Sequence, residues 1–96
     1  MKTIWKYALL VADRQELQMP TGANFLAVQV QREEICLWAL VDTDNPLVGR
    51  RIHTYGTGQG LGELGTYIGT YQLRGGGLVF HVFEERRSGL GGDPAA

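Results

Sequence analysis

Tyr67-Ile68-Gly69-Thr70-Tyr71-Gln72-Leu73, Arg74-Gly75-Gly76-Gly77 and Leu78-Val79-Phe80-His81-Val82-Phe83 form one continuous stretch of the chain. Two runs rich in β-branched and aromatic residues flank a glycine cluster. That is a hairpin signal, because glycine takes positive φ freely at a tight reversal. The second run is apolar on both faces: Leu78, Phe80 and Val82 point one way, and Val79, His81 and Phe83 the other. Such a strand belongs inside a sheet with both sides covered. The rest of the chain has to supply that cover.

Working outward, residues 3–11 read as a first strand, with Trp5, Tyr7 and Leu9 on one face and Ile4, Ala8 and Leu10 on the other. Residues 15–19 alternate with Leu17 and Met19 in phase, and Pro20 and Gly22 end the run. Residues 25–31 alternate cleanly, with Leu26, Val28 and Val30 assigned to the buried side. After the short turn Arg32-Glu33, residues 35–41 are apolar throughout, which predicts an antiparallel hairpin with the preceding strand. Residues 50–55 form a further strand with Ile52 as its clearest core residue. In residues 56–65 the repeated glycines disfavour a helix, each interior glycine costing about 1 kcal/mol relative to alanine.

These elements predict an all-β fold: a compact antiparallel sandwich or small barrel of about seven short strands. The 96 residues allow one domain, placed at 1–85, and residues 86–96 read as a flexible tail. The net charge of −1 argues against a nucleic-acid partner. Cys36 is the only cysteine, so no internal disulfide forms. Met1-Lys2 is followed by mixed, aromatic residues rather than a signal-peptide core, and no apolar run reaches bilayer-spanning length. A cytoplasmic protein without membrane contact is expected.

Two strands, residues 35–41 and 78–83, are apolar on both faces. One such face, carrying Trp38, Leu40, His81 and Phe83, is expected to serve as an interaction surface, most simply in a two-fold homodimer. The bland alternative is that the loop 56–65 or the first strand folds across it.

The chemistry-bearing residues are sparse. Gly60-Leu61-Gly62-Glu63-Leu64-Gly65 matches a dinucleotide fingerprint by letters, but a strand follows it where the mechanism needs a helix. What survives is a glycine loop whose N–H groups form an anion-binding concavity. Gly56, Gly58 and Gly60, with Arg50, Arg51, His53 and Tyr55, are the expected ligand-binding residues for a small anionic, nucleotide-like ligand. A nucleophilic pair of Cys36 with His81 or His53 has no supporting motif, since a buried cysteine and a hydrogen-bonded histidine explain both. Two histidines and one cysteine on three segments make no metal site, and no catalytic residue or cofactor is assigned.

Several segments carry a resemblance: Met1-Lys2-Thr3-Ile4-Trp5-Lys6-Tyr7, Leu17-Gln18-Met19-Pro20-Thr21-Gly22-Ala23, Val28-Gln29-Val30-Gln31 and Leu37-Trp38-Ala39-Leu40-Val41-Asp42. Tyr55-Gly56-Thr57-Gly58, the run 67–72 and the run 78–83 continue it. Over residues 1–85 the chain resembles a set of small uncharacterised proteins encoded by bacteriophages and prophages. The resemblance brings no catalytic residue with it. It implies an accessory role in the infected bacterial cytoplasm, exercised by binding: blocking a host-defence complex or sequestering a signalling nucleotide.

Overall fold

The structure, a computed structural model, describes residues 1–85. The tail expected at 86–96 lies outside the described residues. Seven strands follow in order: β1 (Lys2–Leu9), β2 (Arg14–Pro20), β3 (Asn24–Gln31), β4 (Glu34–Asp42), β5 (Leu47–Gly56), β6 (Thr66–Leu73) and β7 (Leu78–Glu84). They form two antiparallel sheets, β1-β4-β3 and β2-β5-β7-β6. The all-β sandwich is therefore as expected. The first strand is shorter than the pattern implied, because Leu10 and Val11 sit exposed in the turn after it. β5 begins earlier, at Leu47.

Alternation sets the interior. Ile35, Leu37, Ala39 and Val41 from β4 meet Met19, Ile52, Tyr71 and Val82 from the other sheet, all in one buried cluster. Two hairpins are tight. Arg32 and Glu33 take φ of 51° and 69°, the left-handed pair that a two-residue connection needs. The connection between β6 and β7 has four residues, 74–77, and turns through positive φ at Arg74, Gly75 and Gly76 (54°, 64° and 97°).

One side of the sandwich is nearly closed, since the edge strands β3 and β6 pack together. Gly69 makes that approach feasible: a Cβ there would stand 3.3 Å from Val28 Cβ and 3.5 Å from Val28 N. Both strands are bulged at this seam, between Phe25 and Ala27 and between Tyr67 and Gly69. The first bulge corrects the alternation drawn for residues 25–31. The extra residue turns Leu26 out to solvent at 50% exposure, while Phe25 joins Val28 and Val30 against the core.

Between the sheets lies a partly buried ion pair. Arg50 is in phase with Ile52 on β5, and Glu84 with Val82 on β7. The Arg50 Nε and Nη2 both donate to the Glu84 carboxylate, the latter at 2.9 Å. Nη1 donates to the Ala23 carbonyl at 3.0 Å, and the guanidinium lies 4.7 Å above the Phe25 ring. This one side chain ties β5 and β7 to β3.

Candidate functional site

The two sheets present their outer faces differently. On β2-β5-β7-β6 the outward residues include His53 and Tyr55 of β5, His81 and Phe83 of β7, and Tyr67 and Thr70 of β6. β5 and β6 flank β7 and run parallel to each other, so residues 57–65 must travel back along β7 to connect them. Their glycines then wall a cleft of about 360 Å³ over this face. Its floor is His53 and Tyr55, its wall Gln59, Gly60 and Gly62, and its rim Arg14, Glu63 and Glu85. Tyr55 is only 6% exposed although it points away from the core.

The aromatic floor is a set of touching rings. The His53 and Tyr55 rings lie 4.1 Å apart, and the Tyr55 hydroxyl is 2.9 Å from His53 Nδ1. Phe83 stands edge-on to Tyr55 and Tyr67, with centroids 5.6 and 5.4 Å away. Beside it His81 is held at both ring nitrogens, by Thr57 Oγ1 at 2.7 Å from Nε2 and by Thr70 Oγ1 at 3.1 Å from Nδ1. Thr70 is in turn 2.6 Å from the Tyr67 hydroxyl. A threonine hydroxyl can donate or accept, so either tautomer of the ring finds a partner at both nitrogens. Thr57 also donates its N–H to Val79 at 3.2 Å, which pins the start of the crossover to β7. Gly58, at φ +86°, then turns the chain where a β-carbon would be strained.

Of the expected ligand-binding residues, the structure gathers His53, Tyr55 and Gly60 at the cleft. Gly56 and Gly58 belong to the entry of the crossover instead. Arg51 points outward in a neighbouring hollow with Arg14 and Glu85, 4.0 Å from Glu16. Arg50 is on the opposite face, committed to Glu84 and Ala23. Gln59, Gly62 and Glu63 belong to the glycine loop 56–65 that the sequence points to, whereas Arg14 and Glu85 lie outside the expected site. Arg14 reaches the cleft because β2 pairs with β5 in a register that sets it opposite His53. Its Nε lies 3.5 Å from Glu85 Oε2, a contact that exposure at the arginine keeps weak. The rim therefore carries two carboxylates against one cation, an unfavourable setting for an anion.

The other outer face, on β1-β4-β3, is bare. Ile4 and Leu40 are cross-strand partners, 56% and 37% exposed, and Leu26 and Trp38 lie beside them. Trp38 and Leu40 thus lie on the opposite side of the molecule from His81 and Phe83, so the four expected interaction residues form two surfaces. Farther along the same face, Lys6 Nζ bonds Gln31 Oε1 at 3.2 Å, bridging from β1 to β3 across β4. Cys36 is fully buried there, and burial raises its thiol pKa. It shares no face with His81 or His53, so the sandwich itself separates the members of any Cys–His pair. Among the described residues no group of three His, Cys, Asp or Glu is placed to hold a metal ion, and no helix is long and apolar enough to cross a membrane.

Over residues 1–90 the chain matches the family DUF7352, described as a domain of unknown function, and belongs to it. No curated protein and no solved structure matches the chain.

Proposed function

We propose that this protein is a non-catalytic binding protein that docks on a protein partner through the outer face of β1-β4-β3. The observation that carries this is the exposure of Ile4, Leu26 and Leu40 around Trp38 on a sheet face that no described segment crosses. Contiguous exposed apolar surface of this kind marks an interaction site on a protein surface. The resemblance to phage and prophage proteins supplies the setting: the bacterial cytoplasm during infection, with a host protein, including a defence component, as the partner.

The test is affinity capture from host lysate with the wild-type protein and with a Leu26→Glu/Leu40→Glu variant. The variant should keep its circular dichroism and melting temperature, since both side chains are exposed. A discrete host protein retained by the wild type and lost by the variant is the expected result. Equal capture by both would remove this face from the function.

A second reading, sequestration of a small nucleotide-like anion, has the cleft at His53 and Tyr55 in its favour and the rim carboxylates Glu63 and Glu85 against it. Native mass spectrometry of protein taken from the bacterial cytoplasm separates the two readings. A discrete added mass of a few hundred daltons, lost on Tyr55→Ala, would favour the ligand.

A further inference from the structure

We infer that two copies of this chain pair through β1, edge to edge around a two-fold axis, with Trp5 facing the partner's Trp5. β1 bonds only to β4 among the described residues, so its other side is a free edge.

The polarity of that edge follows from one bond. Thr43 donates its N–H to the Met1 carbonyl at 2.9 Å, in register with the β1–β4 ladder. In an antiparallel pair, hydrogen-bonded partners recur at every second residue. Thr3, Trp5, Tyr7 and Leu9 therefore turn their backbone groups toward β4. Lys2, Ile4, Lys6 and Ala8 turn theirs outward. Leu10, the next outward residue, confirms the phase: Gln15 Oε1 accepts its N–H at 2.9 Å and Gln15 Nε2 donates to its carbonyl at 2.9 Å. The edge is capped at Leu10 and open from Lys2 to Ala8.

The occupant that fits this edge is the same edge of a second copy. Centring the axis on Trp5 sets Ile4 opposite Lys6 and Lys2 opposite Ala8, using all four outward residues of each strand. No two lysines then face each other. Shifting the axis to Ile4 opposes Lys2 and Lys6, and shifting it to Lys6 opposes Lys6 with itself; like charges directly opposite are unfavourable. The inner side agrees, because Trp5 is 38% exposed although it points to the core side of the sheet, and it stands edge-on to Tyr7 at 6.5 Å. A partner strand would cover both rings with its own. A two-fold pairing is closed in itself, since each β1 edge is used once, and β3 and β6 already pack on each other. This pairing uses the strand edge and leaves Leu26 and Leu40 clear, so it stands or falls separately from partner docking on the sheet face.

Light scattering across a concentration series tests it, with Ile4 changed to opposite charges. Ile4→Lys places lysine against the partner's Lys6 twice and should weaken the dimer about tenfold. Ile4→Glu places glutamate there and should tighten it by a similar factor. A contact made through the apolar sheet face would be weakened by both. In a Cys36→Ser background, Trp5→Cys should cross-link on oxidation, since unbonded antiparallel partners have Cα atoms about 4.5 Å apart, within disulfide reach. Lys6→Cys, displaced from the axis, should not. A protein that stays monomeric at every concentration would overturn the proposal, as would equal weakening by both Ile4 variants or a cross-link at Lys6→Cys alone.

Discussion

β4 and β7 invite the same treatment and receive different ones. Each is an interior strand, and each carries apolar residues on both faces. On the sheet of β7 the crossover 57–65 is fastened to His81 through Thr57 and walls the cleft over the neighbouring strand β5, where Tyr55 is buried. The outer face of β4 stays open around Trp38 and Leu40. The cause is topological. β5 and β6 flank β7, so their connection has to pass along it. The neighbours of β4 are reached by the two-residue turn Arg32-Glu33 and from the other sheet, and no described connection crosses that face. An apolar outer face is thus an interface candidate only after the routing of the chain is known.

The largest effect expected from substitution lies in the layer that both faces share. Arg50→Ala leaves the partly buried Glu84 without its partner and the Ala23 carbonyl without its donor. Breaking such a pair, at the lower end of the range for buried ones because both side chains keep some exposure, costs about 3 kcal/mol, to be read by chemical denaturation. Arg50→Lys should recover little of it, because an ammonium cannot reproduce the bidentate fork and the contact over Phe25. Loss of stability without selectivity between the sheets is expected. A variant that loosened only one sheet would show that the two faces rest on separate supports.

The next contrast is between the faces themselves. Tyr55→Ala removes a ring packed against His53 and Phe83 beneath the crossover, and truncation of a buried aromatic costs about 3 kcal/mol. Leu40→Ala, on the open face, should cost less than about 1 kcal/mol in the isolated protein. Equal costs would mean that the β4 face is also covered, by a partner copy.

Part of this arrangement was readable from alternation. Ile52 is in the core as expected, and Leu37, Ala39 and Val41 share one face as their period of two requires. Which face of β4 and β7 turns inward was not in the spacing, because both faces of each are apolar. Leu26 broke the pattern because its bulge belongs to the seam between β3 and β6, a contact between segments far apart in sequence. Arg50 carried a usable signal. It is in phase with Ile52, as Glu84 is with Val82, which foretells an inward pair on adjacent strands; arginine's usual preference for solvent hid it. The cleft was half legible. His53, Tyr55 and Gly60 are near one another in the chain, whereas Arg14 and Glu85 arrive only through strand pairing.

The smallest and most local effect concerns how the crossover 57–65 is fastened to β7. Thr57→Val keeps the shape of the side chain and removes the hydroxyl that meets His81 Nε2 and Val79 O. One hydrogen-bonded connection of this kind contributes about 1 kcal/mol, so global stability should fall only by that amount. The informative readout is hydrogen exchange. Amides of 56–65 should exchange faster while those of β1 and β4 keep their protection, because the lost bond holds the crossover and not the sandwich. His81→Ala should produce the same local signature with a somewhat larger amplitude, since it also releases Thr70. If the amides of 56–65 were unmoved in both variants, the glycine segment would be held by its own turn at Gly56 to Gln59, and the histidine would owe its place to the sheet alone.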